Sequence, residues 1–149
     1  MNLKKFKYII ATGFGVGYFP LIPGSAGSLF ALLLFVFIPL NAYIWLIISI
    51  FMFFIGIWTS GVVEKDKGND PGIVVIDEYV GQWISLLFLP RILWIFVAGF
   101  IIFRILDIIK PFPAADLEEI EGGSGIMLDD IIAGIYTNIA LHLILLFIP

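Results

Sequence analysis

Apolar residues in this chain neither alternate with polar ones nor keep to a single helical stripe. They run in long blocks broken by short polar punctuation, the pattern of helices that are apolar on every side and sit in lipid or at the centre of a bundle. Residues 28–40 and 43–63 are two such blocks, and so few residues around Pro39 and Asn41 separate them that they predict a helical hairpin. The first block is short beside the roughly 20 residues that cross a bilayer, and Ala26 and Gly27 are expected to extend it. After a polar loop at 64–71, residues 79–89 and 92–109 form a second hairpin broken at Pro90 and Arg91, its first arm again short. A last block covers 131–148, and three of the five segments are of comfortable spanning length. The expected fold is an all-α integral membrane protein, one domain over 1–149. It is a compact bundle of about 4–5 transmembrane or partly spanning helices with an N-terminal glycine-rich segment at the interface. Lys4, Lys5 and Lys7 imitate the start of a signal peptide, but Gly13, Gly15, Gly17, Pro20 and Pro23 interrupt the apolar stretch too early for one.

Composition sharpens the class. The chain is 61% hydrophobic and 13% charged, with a mean hydropathy of +1.11, against about 45–50% apolar and 25% charged for soluble domains. Its longest polar stretch, 110–128, is too short to fold separately, so an active site has to be assembled from helix ends and loops. The absence of cysteine excludes disulfides, a thiolate nucleophile and a zinc-thiolate centre. No basic stripe supports nucleic-acid binding. The net charge of −4 matters less than where the charges fall. Lys4, Lys5, Lys7, Lys65, Lys67 and Lys110 flank one side of the expected bundle with Arg104 just inside it, whereas Arg91 alone marks the other. This seven-to-one bias places the N-terminus in the cytoplasm. All twelve acidic residues fall on that same side, which the positive-inside rule does not explain.

Four clusters carry candidate chemistry, and each has a plainer reading. Thr12-Gly13-Phe14-Gly15 and Pro23-Gly24-Ser25-Ala26-Gly27-Ser28 are small-residue patches, the second opening a helix. Free amides, the positive end of the dipole and the Ser25 and Ser28 hydroxyls suit phosphate; close helix packing and capping suit them equally. Asp77 and Glu78 start a membrane segment, with Gly81 and Gln82 one turn on. Adjacent carboxylates at that depth repel unless a cation lies between them, although an acidic helix start is also favoured by the dipole. Arg104, Asp107 and Lys110 recur every three residues near a helix end, placing two phosphate-gripping cations and a carboxylate on one face, or else an internal ion pair beside a snorkelling lysine. Gly122-Gly123-Ser124-Gly125 reads as a flexible turn delivering Asp129-Asp130 to the start of the last span, as a helix cap or as ligands for a hard cation. His142 lies toward the other side of the last span, Glu118, Glu119 and Glu121 read as a solvated loop face, and the tryptophans read as interfacial belts and packing.

These patches, with 75–83 (VIDEYVGQW), 103–111 (FRILDIIKP) and 122–134 (GGSGIMLDDIIAG), resemble the motifs of the phosphatidylglycerophosphatase A family, in order from Thr12 to Gly134. The family often has threonine at the position of Ser25, which keeps the hydroxyl. The resemblance implies a multi-pass enzyme of the bacterial inner (cytoplasmic) membrane with its site on the cytoplasmic side. It implies Mg2+-dependent removal of the terminal phosphate of phosphatidylglycerophosphate to give phosphatidylglycerol. Residues and resemblance together assign Mg2+ to Asp77, Glu78, Asp129 and Asp130. Asp107, Asp129, Lys110 and Arg104 are the catalytic candidates, and Thr12, Gly13, Ser25, Ser28 and Lys110 the phosphate ligands. Attack by a water or by Asp107 or Asp129 stays open, as does the oligomeric state. A histidine phosphatase needs two histidines where this chain has one, and the aspartate-rich motif of alcohol phosphotransferases is absent. A small transporter or scaffold subunit with a cation site is the alternative class.

Overall fold

The computed structural model describes residues 2–148, and every regular element among them is helical. Helix α1 (Leu3–Ala11) starts at Asn2, whose side chain accepts the Lys4 amide at 3.1 Å. It lies along α3 (Ala42–Lys67), held by Lys4 and Tyr8 on the Asp66 carboxylate, each at 2.8 Å, and by the Lys7 ammonium 4.1 Å from the Trp58 ring. A turn with positive φ at Gly13, Phe14 and Gly15 then leads through a short 3-10 turn, Val16–Tyr18. The N-terminal segment expected at the interface is thus a helix and a tight turn.

Helix α2 (Pro23–Phe37) opens three residues earlier than the expected extension, because Pro23 occupies the first helical position, where its missing N–H is not needed. The expected first hairpin is little more than its turn: beyond the Phe35–Trp45 ring contact α2 and α3 scarcely pack along each other, and each packs on α4 instead. The turn ends at Asn41, whose side chain accepts the Ile44 amide at 3.0 Å and caps α3. At 26 residues α3 is about 39 Å long at 1.5 Å per residue. Helix α3 and the 23-residue α7 (Gly123–Leu145) are long and apolar enough to cross a membrane. The third segment expected to do so, α5 (Leu93–Ile109), has 17 residues and falls short of the roughly 20 that span unaided.

The short arm of the second hairpin is the centre of the molecule. Nine of the eleven residues of α4 (Ile76–Leu86) are buried, and α2, α3, α5 and α7 all pack on it. Its length is explained by this position, since a helix wrapped by protein need not match the bilayer. The carbonyls at its end are taken by Asn138 of α7, whose Nδ2 donates to Leu87 O at 2.8 Å and Ile84 O at 3.2 Å. Arg91 does the same for α2, donating to the carbonyls of Phe35 and Val36. The single cation at this end of the bundle is therefore a helix cap.

Helices α4 and α7 approach each other closely. A methyl group on Gly81 would lie 2.7 Å from Asp130 O, and one on Gly134 would lie 2.5 Å from Gly81 O, so only glycine permits this spacing. Helix α7 also corrects the expected turn at 122–125. The chain is helical from Gly123, and Gly123 and Gly125 lie against the carbonyls of Ile57 and Ile120 with no room for a side chain. Asp129 and Asp130 consequently lie in the second turn of α7, and neither caps it. A short α6 (Ala114–Glu118) joins α5 to α7. Leu33, Ile47, Phe51, Phe54, Ile101 and Ile139 are exposed on the outer faces, an apolar surface that water would not favour.

Candidate functional site

Five elements converge at one end of the bundle on a polar cavity of about 240 Å³. The first turn of α4 supplies Asp77 and Glu78, and the end of α5 supplies Arg104, Asp107 and Lys110. The second turn of α7 supplies Asp129 and Asp130, the start of α2 supplies Pro23 and Gly24, and the loop before α4 supplies Asp70 and Gly72. Three clusters singled out from the sequence, 77–78, 104–110 and 129–130, are thus brought to one place by the close Gly81–Gly134 crossing. Asp77, Asp129 and Asp130 are 7%, 6% and 2% exposed.

The pairing within the cavity is partial. Lys110, in a left-handed conformation at the end of α5, reaches Glu118 Oε1 at 2.6 Å and Asp129 Oδ2 at 2.8 Å. Glu118 therefore belongs to the edge of the site, where a solvated loop face was expected. Arg104 pairs with Asp107 one turn on and lies 3.8 Å from Glu78 Oε1. This is the ion pair of the plainer reading, but it forms in the wall of the cavity. Six carboxyl groups line the cavity against two cations, an excess of acids over bases. Glu78 Oε2 and Asp130 Oδ2 are buried with no hydrogen-bond partner, as is Arg104 Nε. Oxygens of Asp77, Glu78 and Asp130 lie within 4.8 Å of one another, and so do those of Asp107, Asp129 and Asp130, with Asp130 common to both sets. Such an oxygen-rich, anionic donor set fits a hard divalent cation, and its orphaned oxygens are what a cation would satisfy.

Asp70 was not singled out from the sequence. It sits in a loop at a positive φ of 43°, between Asn69 and Pro71, where no periodicity marks it. Although the residue is exposed overall, its carboxyl at the cavity rim is pushed up from its ordinary value by partial burial, Lys110 pulling it partly back and Glu118 adding to the rise. Gly24, part of the small-residue patch at 23–28, also lines the cavity. A methyl group there would collide with Glu78 Oε1 and lie 3.0 Å from Arg104 Nη2, so glycine lets the start of α2 close the cavity.

The remaining phosphate candidates lie elsewhere. The Thr12 hydroxyl donates to Tyr8 O at 2.8 Å, and that of Ser28, fully buried, donates to Gly24 O at 3.0 Å. Gly13 makes a turn whose carbonyl accepts the Tyr79 hydroxyl at 3.1 Å. Ser25 lines an apolar groove beside the cavity. Gln82, expected to share a face with Glu78, is buried away from the cavity and donates to Ser85 Oγ at 3.0 Å. His142, on the far part of α7, contacts only Asn138 O, at 2.9 Å.

An all-helical chain with membrane-capable helices, gathering buried carboxylates and two cations at one end, has the build of a small helical protein with a polar centre in an apolar body. Residues 9–145 match the family model described as phosphatidylglycerophosphatase A, and the chain belongs to that family. It is 41% identical over 143 residues to phosphatidylglycerophosphatase A of Escherichia coli strain K12, covering 92% of this chain and 82% of the relative. Against phosphatidylglycerophosphatase A of Haemophilus influenzae the identity is 38% over 142 residues, covering 92% and 87%. A Bacteroides thetaiotaomicron protein provisionally named phosphatidylinositol-3-phosphatase is 41% identical over 140 residues, covering 88% of each chain. No solved structure matches the chain significantly.

Proposed function

We propose that this protein is a Mg2+-dependent phosphatidylglycerophosphate phosphatase, removing the terminal phosphomonoester to leave phosphatidylglycerol. The observation that carries the reading is the buried cavity in which six carboxylates meet two cations, within a chain of this family. Burying so many acidic groups together, with carboxylate oxygens left unpartnered, is costly and has no evident packing purpose. The Asp77, Glu78 and Asp130 set and the Asp107, Asp129 and Asp130 set would hold Mg2+. When bound, the ion neutralises the phosphoryl group's charge and supplies Lewis-acid stabilisation of the transition state.

The protein's own groups then have distinct tasks. Lys110 and Arg104 grip phosphate oxygens, Arg104 with a buried Nε still free to donate. Asp107 orients Arg104, and Asp129 with Glu118 orients Lys110. The start of α2 at Pro23 and Gly24 presents the positive end of a helix to the same space. Phosphorus is attacked by a water or by the carboxylate of Asp107 or Asp129, and trapping a phosphoryl-aspartate with hydroxylamine separates the two. The chain forms a multi-pass bundle in the bacterial inner membrane, its cavity facing the cytoplasm where Lys4, Lys7, Lys65 and Lys67 also lie.

The Bacteroides relative makes a phosphoinositide the competing substrate. Phosphate release by the purified protein from phosphatidylglycerophosphate and from phosphatidylinositol 3-phosphate, each with Mg2+ and with EDTA, decides. Mg2+-dependent release from the first and little from the second is expected. The reverse preference would transfer the site to phosphoinositides, and release from neither by folded protein would move the transporter or scaffold reading forward.

A further inference from the structure

Beside the cavity lies an apolar groove of about 610 Å³ between α2 and α5. The two spaces share walls. Along α5, Arg104 and Ile108 line both, Asp107 and Lys110 face the cavity only, and Ile101 and Ile105 face the groove only. Along α2 the change is equally abrupt: Pro23 and Gly24 line the cavity, and from Ser25 onward Ala26, Leu29 and Leu33 line the groove. Among the described residues lining the groove only Ser25 and Arg104 are polar, and both sit at its cavity end. From Ser25 to Leu33 the groove follows α2 for about 12 Å at 1.5 Å per residue.

Resting on the phosphatase reading above, we infer that this groove receives an acyl chain of the lipid whose phosphate enters the cavity, so that substrate arrives laterally between α2 and α5 and past Arg104. The adjacency of the two spaces, with Arg104 and Ile108 in the wall of both, carries the inference. An apolar outer face is common to every membrane helix, but a carboxylate-lined cavity beside a concave apolar groove, with one guanidinium in the wall of both, matches the polarity of a phosphomonoester lipid along its length. Arg104, with its unpaired Nε, stands where an anionic headgroup meets its tails. Ala26 lines the groove next to Ser25, so a larger side chain there would occupy part of it.

Two measurements test this. The first compares Ala26→Phe and Leu29→Trp with wild type on the diacyl substrate and on its deacylated, water-soluble headgroup. Filling the groove should lower kcat/KM for the diacyl substrate relative to the headgroup by about tenfold or more, the scale of excluding two methylene groups from an apolar site. An equal loss on both, or no loss on either, would overturn the inference. The second uses a diazirine-bearing acyl chain on a phosphomonoester lipid and maps its labelling. Label concentrated on α2 and α5, and displaced in Leu29→Trp, is expected; label spread over the outer faces of α3 and α7, or a dimer crosslinked through the groove, would overturn it. Should wild type hydrolyse neither substrate, the phosphatase reading falls and the labelling alone decides the groove.

Discussion

At the scale of single residues, the proposed mechanism divides the cavity into groups that would touch the substrate and groups that hold them. Arg104, paired with Asp107, would offer the rest of its planar fork to a phosphate, a geometry lysine does not reproduce. Arg104→Lys is therefore expected to retain the fold and lose about tenfold to a hundredfold in kcat/KM. Unchanged kinetics would remove Arg104 from the site. Asp70 gives a pH signature. Its carboxyl titrates above the ordinary value in the folded protein, so folding favours the protonated form, and the stability tied to that proton is lost as pH rises through the raised pKa. In metal-free protein Asp70→Asn should thus melt slightly higher than wild type at neutral pH, with the advantage vanishing as pH falls toward about 4. Asparagine also tolerates the positive φ at this position. Thermal melts of both proteins across that range, with EDTA present, provide the check. The sequence made the paired acids legible, because adjacent carboxylates at the edge of an apolar block have few explanations. It did not single out Asp70, which lies in a loop without a pattern. Nor did it say that the Thr12 and Ser28 hydroxyls would bond to carbonyls four residues back, as hydroxyls in helices often do.

At the scale of elements, the site depends on how closely α4 and α7 approach. Gly81→Ala or Gly134→Ala forces these helices apart and should destabilise the protein by ~1–3 kcal/mol. Activity should fall more than the loss of folded protein explains, since the same shift moves Asp77 and Glu78 away from Asp130. Denaturation in detergent beside a specific-activity assay tests both halves. The helical blocks and their turns were readable from hydropathy, because a backbone without water has to satisfy its own hydrogen bonds. The start of α7 was not. Gly-Gly-Ser-Gly is a turn by local propensity, whereas in the folded chain it opens α7 at a place where the carbonyls of Ile57 and Ile120 leave no room for side chains on Gly123 and Gly125. Likewise the short 79–89 arm looked like an incomplete span, whereas burial on all sides makes α4 the core helix.

At the scale of the whole molecule, one end carries nearly all the charge and the other is closed by Arg91 and Asn138 acting as helix caps. Like charges concentrated in the cavity oppose folding until a cation joins them, so Mg2+ should raise the melting temperature by mass action. At a hundredfold excess over Kd the gain is about 2.7 kcal/mol. Asp130 stands at the junction of the two carboxylate sets, and the account rests most heavily on it. The most direct measurement is Mg2+-dependent phosphate release from phosphatidylglycerophosphate by wild type and Asp130→Asn, with Mg2+-induced thermal stabilisation recorded on the same samples. The account predicts a variant that stays folded, loses more than about a hundredfold in activity and no longer gains stability from Mg2+. A variant that hydrolyses the lipid and responds to Mg2+ as wild type does would contradict it.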